Sequence, residues 1–156
     1  MRRTALLLIP VFLMSLLAAC SNGPRKRIFA PTASIQELAV QPDGQWQIRV
    51  RIQSFSNVPH TVSELSAQLR IDGIDAATLK FSPAVSIGPQ SAEVEDLTMS
   101  PAADAAARVK AALESGRRVD YALNGTLVST EPDRRRDEFT FEGQLWPVPG
   151  LPGVLR

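Results

Sequence analysis

Residues 45–53 read QWQIRVRIQ, and this stretch decides the fold class. Every second side chain in it is apolar: Trp46, Ile48, Val50 and Ile52. A period of two is the period of a β-strand with one buried face and one solvated face. The turn sequence Pro42-Asp43-Gly44 stands just before it. Residues 35–40 are therefore predicted to pair with this strand in a hairpin.

The same alternation recurs along the chain. It predicts further strands at residues 65–72, 74–81, 92–99, 119–127 and 139–145, and residues 85–88 form a short apolar piece closed by Pro89. Within residues 92–99 the pattern slips between Val94 and Leu97, which predicts a β-bulge there. About seven short strands separated by turn residues predict an all-β protein, a two-sheet antiparallel sandwich.

One segment changes to the period of a helix. Ser100 is predicted to be the N-cap and Pro101 the first helical residue, and Gly116 is placed as the C-terminal stop. The apolar residues between them keep helical spacing: Ala105, Ala106, Val109, Ala112 and Leu113. The sequence therefore predicts one short helix with a narrow, alanine-rich buried stripe.

Composition limits the classes of function. The chain has 156 residues, of which 44% are hydrophobic and 21% charged, as expected for one globular domain. A net charge of +1 provides no basic excess for nucleic-acid binding. One cysteine and one histidine exclude a disulfide framework and a Cys/His zinc site within one chain. We expect no metal, no cofactor and no nucleic-acid partner.

The first 20 residues have the order of a bacterial export signal. Two arginines precede an apolar run at residues 5–17, which is shorter than the roughly 17–25 residues of a membrane-spanning helix. The run ends in Leu17-Ala18-Ala19-Cys20, which resembles the lipobox of bacterial lipoproteins. This resemblance implies removal of residues 1–19 and acylation of Cys20. The alternative is an ordinary secretory signal with a cysteine there by chance.

Acyl chains on Cys20 would anchor the protein stably to a membrane. Ser21 resembles the outer-membrane sorting pattern, so we expect a lipid-anchored envelope protein at the outer membrane, facing the periplasm. Residues 20–29 are predicted to be the acylated cysteine and a polar tether. The three cations at residues 25–27 are interpreted as part of a solvated linker, with contact to anionic lipid headgroups as the alternative.

Several stretches together carry a family resemblance. The strand at residues 48–52 is followed by the turn SNVPH at residues 56–60, and the strand and turn at residues 65–73 end in Asp-Gly. The helix then leads into VDYALNGTL at residues 119–127. Across about residues 30–146 this order resembles the late embryogenesis abundant (LEA) type 2 family, also called the water-stress and hypersensitive-response (WHy) domain.

The resemblance implies a fibronectin-III/immunoglobulin-like β-sandwich with a helix at one end. It also implies a part in desiccation or stress protection, with lipid binding in some relatives, and no catalytic residues are known for the family as a class. Residues 30–146 would be the LEA type 2-like sandwich and residues 147–156 a Pro/Gly-rich tail. We interpret the tail as docked on the sandwich, with an extended segment offered to a partner as the alternative.

The residues that catalysis needs are not arranged for it. His60 follows a proline in a predicted loop, without a nucleophile elbow nearby, and is interpreted as a surface turn histidine. Glu93 and Glu95 are interpreted as part of a solvated sheet face. The three arginines at residues 134–136 are flanked by acids and are interpreted as a polar loop. We therefore expect that the protein is not an enzyme.

Aromatic residues are the candidate ligand contacts. Trp46, Phe139 and Phe141 are the candidates, and together with Trp146 they are interpreted as core or sandwich-end residues, because aromatic residues at strand spacing are usually core. They would line a ligand cavity only if the two sheets were splayed apart. The strand of Trp46 becomes a candidate binding surface if it lies at a sheet edge.

Three functions fit these observations. The leading hypothesis is a non-enzymatic envelope lipoprotein that binds apolar protein segments or lipid, through an edge strand or a groove at one end of the sandwich, in a protective, stress-related role. The alternative is a structural subunit or accessory protein of an outer-membrane or periplasmic complex. A hydrolase that uses His60 is the third.

Overall fold

Two antiparallel sheets lie face to face in the computed structural model, which describes residues 25–82 and 84–156. The predicted signal peptide, residues 1–19, and the predicted lipidation site, Cys20, lie outside the described residues. Within the described part, no helix has the length and apolar character needed to cross a membrane. The elements in chain order are β1 (Thr32–Val40), β2 (Trp46–Gln53), β3 (His60–Ile71), β4 (Ile74–Phe81), β5 (Val85–Ile87), β6 (Ala92–Met99), α1 (Ala103–Ser115), β7 (Val119–Glu131), β8 (Arg135–Leu145) and β9 (Val154–Leu155).

The predicted antiparallel sandwich is confirmed. One sheet has the strand order β6-β2-β1-β9, and the other has the order β4-β3-β7-β8, with β5 also paired to β3. Strands β1 and β2 form the predicted hairpin, in which Val40 faces Trp46. Because β2 lies between β1 and β6, the QWQIRVRIQ stretch is an interior strand and not a sheet edge.

The core forms where the inner faces of the two sheets meet. Each leucine or isoleucine buried there stabilises the fold by roughly 1.5–3 kcal/mol relative to an exposed one. The largest fully buried side chains are Trp46, Leu38, Ile48, Ile52, Leu65, Leu69, Ile71, Ile87, Leu123, Leu127, Leu145 and Leu155.

Tyr121 on β7 joins the two sheets. Its hydroxyl accepts a hydrogen bond from the Ile35 N–H (3.1 Å) and donates one to the Ile35 carbonyl (3.3 Å), beside a bulge in β1 between Ile35 and Glu37. Gly143 on β8 leaves room for the ring, because a Cβ there would lie 2.6 Å from it. Phe141 stacks on the same ring, with centroids 6.1 Å apart.

The predicted bulge in β6 is wrong, because β6 pairs with β2 in an unbroken register along its whole length. Glu93 and Glu95 lie opposite Ile52 and Val50, whose side chains are in the core. Residues opposite each other share a face, so these carboxylates lie on the inner side of an edge strand and not on the outer sheet face. Val94 consequently faces outward. Inward-pointing charge on an edge strand discourages pairing with a further strand.

Helix α1 begins later than predicted. Its N-cap is Ala102, which makes no side-chain capping hydrogen bond, and Ser100 and Pro101 precede the helix. The Ala102 N–H donates instead to the Ala76 carbonyl (2.8 Å), so a tertiary contact keeps this connection extended. Gly116 ends the helix in the left-handed conformation, as predicted. The buried stripe is also as predicted: Ala105, Val109 and Ala112 are buried, and Ala106 and Leu113 are half-buried.

The C-terminal tail docks on the sandwich, as the sequence indicated. Strand β9 pairs with β1 at Leu38 and Ala39, and Leu155 is fully buried. Trp146 and Arg156 exchange two backbone hydrogen bonds (2.6 and 2.9 Å). The tail is therefore a short hairpin held against β1.

The sandwich has two ends of different composition. We call the end that carries α1, the β1–β2 turn and the docked tail the helix end. We call the opposite end, formed by residues 25–31, the β2–β3 loop at residues 54–59 and the β7–β8 turn at residues 132–134, the polar end. Strand β1 runs from the polar end to the helix end, and its nine residues correspond to about 30 Å.

Candidate functional site

An apolar groove of about 480 Å³ opens at the helix end. Its walls are α1, the β1–β2 turn and the docked tail. A concave and mostly apolar site of this size is typical of ligand pockets, which occupy roughly 300–1,000 Å³. The lining residues are Val40, Gln41, Pro42, Gly44, Trp46, Ala106, Ala107, Lys110, Leu113, Pro152 and Gly153.

The fold holds each wall of the groove in place. Trp46, the first residue of β2, is buried and forms the floor. Ala106 and Leu113 lie beside the buried stripe of α1 and are half-buried. The tail is fixed by a hydrogen bond from the Val40 N–H to the Gly153 carbonyl (2.9 Å). The groove is thus built from segments far apart in sequence and held by core packing and backbone pairing.

A second depression of about 400 Å³ continues the groove between α1 and the tail. It shares Leu113, Pro152 and Gly153 with the first. Leu151, in its lining, is 47% exposed. We call the two depressions together the helix-end groove, and their shape suits a chain-like apolar ligand.

Charged residues stand around the helix-end groove. Lys110 lines it and lies 3.9 Å from the carboxylate of Glu114, one helical turn further on. Trp146 is 53% exposed, with the guanidinium carbon of Arg118 5.8 Å from its ring centroid. The described lining contains no serine, histidine or cysteine. This arrangement favours binding through burial of apolar surface and offers no nucleophile inside.

Two edge strands of the sheets, β6 and β8, are less suited to binding an apolar segment. Edge strand β6 carries three acids, at residues 93, 95 and 96, and edge strand β8 carries Arg135, Arg136 and several acids. Charge on an edge strand disfavours the addition of a further strand. The lining of the helix-end groove, by contrast, carries two charged residues, Lys110 and Glu114.

A larger depression, of about 650 Å³, lies beside β3, β7 and β8. Its lining includes Arg70, Asp120 and Glu142. Arg70 also forms an ion pair with Asp75 (3.1 Å). The charged lining makes this depression less suited to apolar ligands than the helix-end groove.

The structure does not bring the three aromatic candidates together. Trp46 lines the helix-end groove. Phe139 and Phe141 lie on β8 in the opposite sheet, where Phe139 is buried and Phe141 stacks on Tyr121. Neither phenylalanine lines the groove. Only the tryptophan therefore stands where an apolar ligand would bind.

The interpretation of His60 as a surface turn histidine is wrong. His60 is the first residue of β3, which begins five residues earlier than predicted, and it is fully buried. Burial lowers the pKa of His60 below its usual range; the positive charge of Arg135 adds to this effect and Asp137 opposes it. The imidazole of the folded protein is therefore neutral near pH 7.

His60 belongs to a cluster of buried polar residues at the polar end. We call Ser54, Ser56, His60, Ser129 and Asp137 the polar cluster. Ser56 Oγ lies 3.5 Å from His60 Nδ1, and Arg135 Nε donates to Asp137 Oδ1 (2.9 Å). Among the described residues, three buried side-chain atoms have no hydrogen-bond partner: His60 Nε2, Ser129 Oγ and Asp137 Oδ2.

The polar cluster does not present a nucleophile to a substrate. The Ser56 hydroxyl accepts from the Phe29 N–H (2.9 Å) and donates to the Phe29 carbonyl (3.3 Å), and both Ser56 and His60 are fully buried. Sequence reasoning missed the cluster, although a signal was present. Ser129 and Asp137 stand at inward positions of β7 and β8, where the alternation calls for apolar side chains.

The loop predicted to contain the three arginines at residues 134–136 is shorter than expected. Arg135 and Arg136 already belong to β8, and Arg134 remains in the turn. Arg135 forms an ion pair with Asp137. The local neutralisation expected from the sequence therefore occurs at Arg135, within a strand.

Comparisons with known proteins locate the fold. No family model matches the sequence, and no curated protein matches it. The solution structure of AT1g01470 from Arabidopsis thaliana is similar with a TM-score of 0.51 at 11% sequence identity, and the match covers 83% of this chain and 89% of that one. At this identity the likeness shows a shared β-sandwich fold and nothing about activity.

Two further solved structures are similar at lower TM-scores. A candidate late embryogenesis abundant protein, At2g46140.1, has a TM-score of 0.48 at 16% identity, over 92% of this chain and 79% of that one. A protein from Archaeoglobus fulgidus has a TM-score of 0.44 at 16% identity, over 78% of this chain and 98% of that one.

Proposed function

We propose that this protein is a non-enzymatic, lipid-anchored envelope protein that binds apolar protein segments or lipid in the helix-end groove. The observation that carries the proposal is the groove itself, about 480 Å³ with an extension of about 400 Å³ between α1 and the tail. Burial of apolar surface contributes about 25 cal/mol per Å² and has no directional requirement. A groove of this kind binds apolar chains of varied sequence.

Two observations support a role without catalysis. The one histidine of the chain is buried at the polar end, and the lining of the helix-end groove contains no nucleophile paired with a base. The stress- or desiccation-related part of the proposal comes from the sequence resemblance to the LEA type 2 family. A protein that covers apolar segments of partly unfolded neighbours would serve that role.

Lipid anchoring is the second part of the proposal. It rests on the order of the export signal and on Cys20, and the proposed location at the outer membrane, facing the periplasm, rests on Ser21. The chain emerges from the anchor at the polar end, where the described residues begin. The helix-end groove would then lie about 30 Å further from the membrane, on the periplasmic side.

The test uses the full chain purified from the membrane fraction of an expressing bacterium. Native mass spectrometry should detect added lipid, and the protein should slow the aggregation of a heat-unfolded client. Leu113→Gln places an amide in the groove and should reduce both readings. Val94→Gln changes an exposed residue on β6, far from the groove, and serves as the control. Equal readings from both variants would contradict binding in the groove.

Exposed apolar residues on the tail and directly before it favour a second candidate, an accessory subunit of an envelope complex. Trp146 and Leu151 are both about half exposed. Cross-linking in intact cells should then yield one defined partner, and the cross-link should disappear in Trp146→Ala. A protein that remains a bare monomer in the envelope and still binds apolar probes would exclude this candidate.

A further inference from the structure

The polar end holds the N-terminal segment against the sandwich. Asn57 binds it at three points: Oδ1 accepts from the Arg27 N–H (2.7 Å), the Asn57 N–H donates to the Arg27 carbonyl (3.1 Å), and Nδ2 donates to the Arg25 carbonyl (2.9 Å). Ser56 adds the two hydrogen bonds to Phe29. The backbone of the predicted tether is therefore held against the sandwich from Arg25 onward by five hydrogen bonds, while the side chains of residues 25–27 are exposed.

This clamp places exposed cations and exposed aromatic rings at the same end of the sandwich. Arg25, Lys26 and Arg27 are exposed, and none of them forms an ion pair with another described residue. Phe29 is 52% exposed and Phe55 is 46% exposed. Phe55 directly precedes Ser56, whose hydroxyl accepts a hydrogen bond from the Phe29 N–H. The two aromatic residues therefore lie on neighbouring backbone segments.

The surface differs in charge from the rest of the domain. Residues 30–156 contain 12 basic and 16 acidic residues, a net charge of −4, whereas residues 25–27 contribute three positive charges in a row. At the same end, Glu131 and Asp133 carry two negative charges and Arg134 one positive charge, and the hydrogen bond from the Thr61 hydroxyl to Glu131 (2.7 Å) leaves the charge of Glu131 unchanged. Together with the three cations at residues 25–27, these residues sum to a net charge of +2.

We infer that Arg25, Lys26, Arg27, Phe29 and Phe55 form a surface that docks on an anionic lipid bilayer. We call these five residues the lipid-facing surface, and the inference rests on the proposed anchor at Cys20. Five peptide units separate Cys20 from Arg25, which limits the distance between them to about 17 Å. An anchored chain therefore holds this surface beside the headgroups.

The chemistry of the surface matches that partner. Each cation near an anionic membrane strengthens attachment by about fivefold, and phenylalanine beside Lys and Arg is the composition of segments that lie in the membrane interface. The Asn57 clamp makes these contacts rigid with the sandwich. Docking then fixes the orientation of the domain and points the helix-end groove away from the bilayer.

Hydrogen–deuterium exchange on the full chain tests this inference. The protein is mixed with vesicles of phosphatidylcholine alone or of phosphatidylcholine with phosphatidylglycerol. Backbone amides at residues 25–31 and 54–58 should exchange more slowly on the anionic vesicles than on the neutral ones. Substituting glutamine for all three cations at residues 25–27 should shift the equilibrium toward the undocked state by about a hundredfold and abolish the difference.

A matched control substitutes glutamine for three exposed cations elsewhere, outside the groove lining: Lys80, Arg108 and Arg117. This variant loses the same charge and should retain the protection. Asn57→Ala tests the clamp separately from the charges, because it removes the side-chain hydrogen bonds to residues 25 and 27 and keeps the three cations. Protection at residues 25–31 should therefore remain, while protection at residues 54–58 is lost. Equal protection on both kinds of vesicle, or equal loss in both triple variants, would overturn the lipid-facing surface.

The intact mass of the purified protein reports the anchor separately. A mass without acyl chains would refute the anchor proposed at Cys20. The difference in hydrogen–deuterium exchange between the two kinds of vesicle is measured on the same sample. It tests docking of the lipid-facing surface whether or not the mass shows acyl chains.

Discussion

The polar end and the helix end of this sandwich bury different kinds of side chain. The interior of the polar end holds the five residues of the polar cluster, and the Asn57 and Ser56 hydrogen bonds close its surface. The interior of the helix end is apolar, and its surface keeps an open groove. Hydrogen bonds are directional and fix one arrangement, whereas apolar contacts accept many partners. The polar end therefore has the fixed contacts that the proposed attachment requires, and the helix end has the open apolar groove in which we propose that ligands bind.

The largest expected effect on stability lies at the helix end. Trp46→Ala removes a large, fully buried side chain beneath the groove and should lower the free energy of unfolding by about 3–5 kcal/mol. Urea denaturation at fixed pH measures this change. Phe29→Ala removes an exposed aromatic ring at the polar end and should cost less than about 0.5 kcal/mol. Similar losses of unfolding free energy in Trp46→Ala and Phe29→Ala would contradict the difference between the two ends.

A smaller effect is expected where one directional contact joins the two sheets. Tyr121→Phe deletes the hydroxyl that pairs with the Ile35 backbone and should lower the free energy of unfolding by about 1–3 kcal/mol. The ring and its stacking on Phe141 remain, so the change isolates the hydrogen bonds. Chemical denaturation of both proteins gives the difference. An unchanged midpoint and slope would show that the hydroxyl does not stabilise the sandwich.

The polar end should also make stability depend on pH. Because the folded state lowers the pKa of His60 below 6.5, the unfolded chain binds more protons just below pH 6.5. The contribution of His60 is therefore complete above pH 6.5 and declines as the pH falls toward its folded pKa. The NMR titration of the single histidine ring reports that pKa directly.

His60→Gln is the matching variant for this pH dependence. Its unfolding free energy, measured between pH 7 and pH 5, should fall less steeply than that of the native protein. A histidine ring that titrates at or above pH 6.5, or identical slopes for the two proteins, would contradict the burial of His60 within the polar cluster.

The smallest effect is expected at Ser129. Its hydroxyl is buried without a partner among the described residues, so Ser129→Ala removes a polar group that makes no hydrogen bond. The free energy of unfolding should change by less than about 1 kcal/mol, and stability should rise if it changes. Thermal unfolding measures the sign. A loss of about 2 kcal/mol would show that Ser129 is bonded within the polar cluster.

Most of the sandwich was predictable because its strands follow the period of two. The β1–β2 hairpin and the end of α1 at Gly116 carry local signals that the structure obeys. The failures occurred where tertiary contacts replace local ones. The Ala102 N–H donates to the Ala76 carbonyl, so the helix starts later than predicted. The acids of β6 occupy inward positions of an edge strand, and the sequence pattern that results is the same as that of a β-bulge.

The candidate site was less predictable than the fold. The helix-end groove combines residues 40–46, 106–114 and 147–153, which only the docked tail and the helix bring together. No local sequence pattern predicts that these three segments lie together. Trp46 was identified because it is aromatic, and Leu113 and Pro152 were missed as binding residues because each looks like an ordinary helix or loop residue alone.

Fluorescence of Trp46 tests the central claim, binding at the helix-end groove, most directly. The chain has two tryptophans, so Trp146→Phe leaves Trp46 on the floor of the groove as the only one. We expect a fatty acid brominated on its chain to quench this fluorescence and the unbrominated acid not to do so. Quenching should be lost with Leu113→Gln and retained with Val94→Gln. A folded protein whose Trp46 is not quenched at saturating brominated ligand, or is quenched equally in Leu113→Gln, would contradict the account.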